Sequence, residues 1–234
     1  MFAIKVKDNI ELVWQEVATP EPKPNEVQIK VHASAVNRAD LMQRKGMYPP
    51  PPGASDVMGL ECAGEVIALG SDVGGFQIGD AVCALLAGGG YAEVVTVDAG
   101  SVLPVPKGLS MNEAAALPEV FATAWLNIFM EAGLKPGEKV ILHAGASGVG
   151  TAAIQLCESF GSPTFVTVGN GDKLAACLAL GASAGSNRHE GSFVEKAKSF
   201  APEGVGVILD PVGGSYLADN LDLMGVGGRL VLIG

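Results

Sequence analysis

The hydrophobic and polar positions of this chain change rhythm near residue 110. Before that point they alternate with the period of two that marks half-buried strands. Met1–Val6, Glu26–Ala33, Cys62–Leu69, Ala81–Leu86 and Tyr91–Val97 each read as a short strand. Turn clusters separate them at Pro20–Asn25, Pro49–Gly53, Ser71–Gly75 and Gly88–Gly90, and Val36–Arg44 fits one short helix. Residues 1–109 are therefore expected to form a compact, mostly β domain.

From Ser110 the period lengthens. Ser110-Met-Asn-Glu113 is a capping box, with hydroxyl and carboxylate placed to satisfy the free amides of a helix start. The apolar stretch Ala114–Met130 is interrupted by Pro118, which ends one helix and opens the next. Phe121, Trp125 and Phe129 recur every four residues and are expected to share one buried face. Beyond Glu138 strands and helices alternate. Val140–Leu142 precedes a helix over Val149–Phe160, and Thr164–Val168 precedes one over Lys173–Leu180. Ala182–Ser186 pairs with Ser192–Phe200, Val205–Leu209 pairs with Tyr216–Leu223, and Arg229–Ile233 is a last strand. Such alternation implies a parallel sheet with right-handed crossovers. The fold class is α/β: residues 110–234 read as a doubly wound unit, one strand short of the six-stranded order.

Composition narrows the partners. With 48% hydrophobic and 17% charged residues, the 234-residue chain has ample material for a core. A formal net charge of -10 argues against a polyanion bound on the general surface, so no nucleic acid partner is expected. No apolar run approaches the length that spans a bilayer, and the N-terminus lacks the uninterrupted apolar core of a signal peptide. The expected location is cytoplasmic, with no membrane partner. Cys62, Cys83, Cys157 and Cys177 form no CxxC pair, and His32, His143 and His189 are equally scattered. That spacing suits buried thiols in a reducing compartment and offers no metal site.

The strongest local signal is Lys139-Val-Ile-Leu-His-Ala-Gly145-Ala-Ser147-Gly148-Val149-Gly150, between the first strand and first helix of the α/β half. Glycines there let the backbone turn sharply and approach a pyrophosphate, whose charge faces the free amides of the helix start. Ser147 occupies the second glycine's place in the usual pattern, with Gly148 behind it; the alternative is a plain structural turn. The second strand ends Phe165-Val-Thr-Val-Gly169-Asn170-Gly171-Asp172-Lys173. An NAD site usually carries an acid where Gly169 stands. Asp172 falls later than that acid, and Lys173 and Arg188 are placed to meet a phosphate or to be solvated charges. The sequence favours NADPH over NADH.

Together with the first half, these residues resemble the medium-chain dehydrogenase/reductase superfamily, and within it the zinc-free quinone oxidoreductases, nearest to the p53-inducible group. The marks run the length of the chain: Ala35-Val-Asn37-Arg38-Ala39-Asp40, Tyr48-Pro-Pro-Pro-Pro-Gly53, Gly59-Leu-Glu61-Cys-Ala-Gly64, Gly79-Asp80, Ala116-Leu-Pro118-Glu, Thr123-Ala-Trp125 and the His143–Gly150 loop. The resemblance implies a GroES-like β domain on the substrate side of a cleft and a Rossmann domain that binds NADPH. It places Ser147, Gly148, Val149 and Gly150 along the pyrophosphate. Gly169, Asn170 and Lys173 would meet the adenosine phosphate, with Arg188 where close relatives carry a Tyr. Thr123 would lie near the nicotinamide ribose, and Asn37 and Tyr48 would border the substrate, with Tyr48 steering or protonating the acceptor. Zinc-dependent members carry a Cys near position 37 and a His after Gly59; this chain has Asn37 and Leu60, so the resemblance implies no catalytic metal.

The implied activity is NADPH-dependent hydride transfer to a quinone or an α,β-unsaturated carbonyl. Full-length relatives of this kind continue for roughly a hundred residues past Gly234, through the strand that completes the sheet and carries homodimer contacts. On that basis the expectation is a C-terminally truncated chain with a last strand whose exposed edge invites pairing. An enoyl-thioester reductase and a catalytically inactive binding or regulatory protein are the competing readings. Glu61 is expected as a buried hydrogen-bonding partner and Asp40 as an anchor of the short helix.

Overall fold

The alternating stretches of the first half pair into antiparallel structure. A computed structural model describes residues 1–7 and 10–233; Asp8, Asn9 and Gly234, the last of these the end of the expected second domain, lie outside the described residues. Strands β1 (Phe2–Lys7) and β2 (Glu11–Glu16) form a two-stranded ribbon. Strands β3 (Glu26–Ala33), β4 (Glu61–Leu69), β5 (Ala81–Leu85), β6 (Val94–Asp98) and β7 (Val102–Pro104) form a five-stranded sheet in the order β6-β3-β4-β5-β7. Its inward positions, among them Val27, Ile29, Cys62, Val66, Val82 and Val95, close one apolar core. Helix α1 (Arg38–Gln43) begins at Asn37, whose backbone N–H donates to the buried Asp40 carboxylate at 2.7 Å. Asp40 thus anchors the helix start.

The expected domain border at residues 109 and 110 moves by ten positions: the chain divides into compact units Met1–Glu119 and Val120–Gly234. Burial is the reason. Helix α2 (Met111–Ala114), opened by the capping box at Ser110, buries Ala114 and Ala115 against Ala63 and Cys83 of the first sheet. The Glu119 N–H then donates to the Glu61 carboxylate at 3.0 Å, so helix α3 (Pro118–Trp125) starts in the first unit.

In the second unit the alternation of strand and helix appears in full: β8 (Val140–Leu142), α4 (Gly148–Ser159), β9 (Thr164–Val168), α5 (Gly171–Ala179), β10 (Ala184–Asn187), α6 (Val194–Phe200), β11 (Val205–Asp210), α7 (Leu217–Leu223) and β12 (Met224–Leu232). The strands are parallel in the order β10-β9-β8-β11-β12. This is the doubly wound order through its fifth strand, and it reverses direction between β8 and β11. The central strands β8, β9 and β11 are buried on both faces, which explains their nearly continuous apolar sequences. All four cysteines are buried as free thiols, two in each unit. Burial pushes the thiols of Cys62 and Cys157 up to about 12. No described helix is long and apolar enough to cross a membrane.

One expectation fails at the end of α3. The chain continues into a π-helical turn over Leu126–Glu131, and the wider turn rotates the following side chains. Ala124 and Ile128 take the buried face, whereas Trp125 is 41% exposed and stacks on Phe129 with ring centroids 4.8 Å apart. Trp125 therefore forms an outer aromatic cluster with Phe129 and Phe160, whereas Phe121 and Phe129 stay partly buried against the core.

Arg229 of β12 clamps this region. Its guanidinium donates to both Glu138 oxygens at 2.8 and 2.7 Å and to the Ala132 carbonyl at 2.8 Å. The Arg229 hydrogen bond holds the Glu138 carboxyl down to about 2, against an ordinary value of 4.5. A depressed carboxylate contributes stability that is present above its unfolded value and is lost as pH falls toward the folded one. Arg229→Met is expected to lower stability by about 1–2 kcal/mol at pH 7, the range for a partly exposed bidentate pair. In urea titrations the gap from wild type should narrow as pH falls below 4.5.

Candidate cofactor site

Parallel strands carry their C-terminal ends, and the loops that follow, to one edge of the sheet. At that edge the second unit holds a cavity of about 230 Å³. Ala144, Ala146 and Ser147 of the loop after β8 form one wall, and Thr167, Val168 and Gly169 at the end of β9 form the floor. Lys173 of α5 and Arg188 after β10 close one side, and Val212 and Tyr216 after β11 close the other. No carboxylate lines the cavity, Asp172 included.

The loop after β8 is packed too tightly for side chains. A Cβ on Gly150 would lie 2.5 Å from the Gly145 carbonyl oxygen and 2.7 Å from that of Ala144. Only glycine lets the first turn of α4 approach the loop this closely. Ser147 caps that helix, its hydroxyl accepting from the Gly150 N–H at 3.1 Å. Gly148 follows as the first helical residue, and Val149 packs on the core. With the Ser147 N–H held by the Ala144 carbonyl at 2.8 Å and the Gly150 N–H by the Ser147 hydroxyl, the amides of Gly148 and Val149 remain at the helix start, a feature suited to an anion. Ala144 is the only non-glycine among the described residues with a positive φ, +51°. For a residue with a Cβ that conformation costs roughly 1–2 kcal/mol.

At the end of β9 the space is open. A Cβ on Gly169 would meet nothing nearer than the Arg188 guanidinium, 4.0 Å away. Asn170 caps α5, its Oδ1 accepting from the Lys173 N–H at 2.8 Å, and so fixes the base of the lysine that lines the cavity. Two cations and a glycine therefore stand where a dinucleotide site specific for NAD would present an acid.

Beneath the cavity runs a buried polar chain. Thr167 Oγ1 lies 2.9 Å from His143 Nδ1, His143 Nε2 lies 2.7 Å from Asn220 Oδ1, and Asn220 Nδ2 donates to Asp210 at 2.9 Å. Asp210 also accepts from the backbone N–H groups of Val212 and Gly213, at 2.7 and 3.0 Å. The Asn220 amide nitrogen faces a carboxylate, so its oxygen accepts; the hydrogen of the imidazole is therefore on Nε2, and the Thr167 hydroxyl donates to Nδ1. Burial lowers the His143 pKa from its ordinary 6.5, against the opposing effects of Asn220, Asp210 and Asp219. The neutral ring contributes stability above that value and loses it as pH falls below it.

In the first unit, Asn37 donates through Nδ2 to Glu61 Oε1 at 2.7 Å. Glu61 is the buried hydrogen-bonding partner that its sequence position suggests, its carboxyl raised by burial and by the nearby Asp40 charge. Tyr48 is 46% exposed after α1. Thr123 lies in α3, its carbonyl accepting from Asn127 at 2.8 Å, and it does not line the cavity. The structure thus gathers Ser147, Gly169, Lys173 and Arg188 around one space, with Gly148, Val149, Gly150 and Asn170 supporting it. The sequence places Asp210 at the cofactor edge, with Pro211–Gly214 reading equally well as a close-approach turn; it missed Tyr216 and the links of the chain from Thr167 through His143 to Asn220. The one signal available for the chain was a histidine closing an otherwise apolar strand just before the glycine loop.

Residues 23–107 match the family model for the alcohol dehydrogenase GroES-like domain, and residues 148–234 match the one for zinc-binding dehydrogenase. The crystal structures of the quinone oxidoreductase from Thermus thermophilus and its complex with NADPH match at a TM-score of 0.85 and 35% identity, over 100% of this chain and 74% of that one. The chain belongs to the quinone oxidoreductase group of the medium-chain dehydrogenase/reductase superfamily. Other likenesses of this quinone oxidoreductase relative extend through the superfamily. The crystal structure of CurK enoyl reductase matches at a TM-score of 0.90 and 33% identity, over 100% of this chain and 74% of that one. The human synaptic vesicle membrane protein VAT-1 homolog is 34% identical over 227 residues, 97% of this chain and 58% of that protein. The chain spans about half the length of the curated relatives it matches first. Among its described residues no three His, Cys, Asp or Glu side chains form a group that could hold a metal ion.

Proposed function

We propose that this chain binds NADPH and serves the zinc-independent reduction of quinones or α,β-unsaturated carbonyls. The observation that carries the reading is the pair Lys173 and Arg188 beside Gly169, in a cavity free of carboxylates. A 2′-phosphate would meet two cations there, and charge-assisted bonds of that kind favour it over a bare ribose hydroxyl. The amides of Gly148 and Val149 at the helix start, beside the cavity-lining Ser147, are assigned to the pyrophosphate, and the absent Cβ of Gly150 lets that helix start pack against the loop. Thr123 is assigned to the nicotinamide ribose.

When bound, the cofactor supplies the hydride. The chain's own residues supply placement. Tyr48 is assigned to steer the acceptor and deliver its proton, with the hydroxyl re-protonated from solvent. Asn37, held by Glu61, is assigned as a fixed border of the acceptor and carries no proton. A conjugated acceptor spreads the incoming charge, which fits a site that needs no Lewis acid.

The likeness to an enoyl reductase structure supports a second reading, reduction of a 2-enoyl thioester. Oxidation of NADPH and NADH should be followed with 1,4-benzoquinone, a simple enone and a 2-enoyl thioester as acceptors. The expected result is turnover with the quinone or enone and a clear preference for NADPH. Turnover with the thioester alone would establish the second reading. Nucleotide binding without turnover of any acceptor would leave a binding protein and sink both enzymatic readings.

A further inference from the structure

The strained Ala144 directly follows His143, a member of the buried chain from Thr167 to Asp210. Strain of this kind persists where the surroundings over-determine it. The His143 N–H is held by the Leu209 carbonyl at 3.0 Å, and its ring is held from both nitrogens. On the other side of Ala144, the Gly145 N–H donates to the Thr167 carbonyl at 3.0 Å. The chain's far end, Asp210, holds the Val212 and Gly213 amides. Tyr216 packs edge-on against the His143 ring, centroids 4.7 Å apart, and also lines the cavity.

We propose that His143, Asn220 and Asp210 are positioning residues for the nucleotide, one hydrogen-bonded chain that holds the strained loop at Ala144 in register with the Val212–Gly213 turn on the opposite wall of the cavity. The inference rests on the reading of this cavity as the NADPH site. Stability alone does not call for such a chain, because apolar residues of equal shape at both partners of a buried hydrogen bond can be nearly as stable. What a polar chain adds is direction. Every donor along it points toward Asp210, so only one arrangement of the two walls satisfies all of its members. A loop held in this way meets the pyrophosphate without first having to order itself.

The test uses the full chain and two readouts, NADPH affinity and amide hydrogen exchange without nucleotide. His143→Phe keeps a ring between Phe193 and Tyr216 but removes both hydrogen bonds. It is expected to weaken NADPH binding by about tenfold, the loss of one well-placed hydrogen-bonded unit, and to speed exchange at Gly145 and Ser147 and at Val212 and Gly213 alike. His143→Gln, whose amide can accept from Thr167 and donate to Asn220, should restore most of both. A lower melting temperature with unchanged affinity and unchanged exchange at Val212 and Gly213 would overturn the proposal and leave a merely structural histidine. If wild type binds no NADPH, the functional reading fails, and the exchange comparison still decides whether the two walls are coupled. Should His143→Phe not fold, Thr167→Val removes only the donor at the head of the chain. It must then speed exchange at Val212 and Gly213 for the proposal to stand.

Discussion

Gly150→Val is expected to weaken NADPH binding by at least about 100-fold, the effect of displacing a binding group by roughly 1 Å. The new side chain would start 2.5 Å from the Gly145 carbonyl oxygen and 2.7 Å from that of Ala144. Both obstacles are backbone, so no flexible side chain can swing aside. Nor can the loop retreat freely. A Cβ on Gly145 would itself lie 2.6 Å from Val166, and the Gly145 N–H is bonded to the Thr167 carbonyl at 3.0 Å. Either the loop moves or α4 shifts along the sheet, at a cost of about 1–3 kcal/mol for overpacking. Fluorescence titration of NADPH alongside thermal melting checks both parts. Gly171→Ala is the control, because a Cβ there meets nothing within 4 Å and its φ is not positive. Affinity within threefold of wild type for Gly150→Val would remove this loop from the site.

Removing the two cations should act on one cofactor only. Arg188→Ala and Lys173→Ala each are expected to raise the NADPH dissociation constant by about 10- to 100-fold, from the loss of about 1.5–3 kcal/mol per charge-assisted bond. NADH affinity should stay nearly constant, since nothing in the cation pair addresses a ribose hydroxyl. The effects should shrink with added salt, because both side chains reach an open cavity. Gly169→Asp goes further: its carboxylate would grow toward the Arg188 guanidinium, 4.0 Å from the Cβ position. That pairing takes up the arginine and sets a negative charge against the phosphate, so the preference should invert toward NADH. Equal losses for both nucleotides in the alanine variants would mean that Lys173 and Arg188 support the loop and do not select the cofactor.

Much of this arrangement is local, and local features are legible in a sequence. The switch from a period of two to strand–helix alternation gives both halves of the fold. The glycine loop and its Ser147 cap are written within six residues of one another, and Gly169, Asn170 and Lys173 within five. Features that depend on distant partners are not legible in this way. Strand β2 escapes such a reading because its burial is nearly uniform, with five of its six residues exposed, so no alternation marks it. Trp125 carries the spacing of a core residue, yet Ala124 and Ile128 take the buried face and its ring stays exposed. The His143 chain joins residues 24 and 77 positions apart; no pattern around His143 indicates that Thr167 and Asn220 will close on its two nitrogens. The domain border moved for a related reason: the periodicity marks where helices begin, whereas Ala114 and Ala115 pack on the sheet of the first half.

The even division of the four buried thiols gives each unit an internal reporter. Cys62 and Cys83 lie in the first sheet, Cys157 in α4 and Cys177 in α5. Burial raises all four thiols, so the reactive thiolate is scarce while the units stay closed. Alkylation then runs as a clock of opening events, and mapping which cysteine is modified separates breathing of the β unit from breathing of the nucleotide unit. A ligand that closes only the second unit slows half of that clock and leaves the other half running.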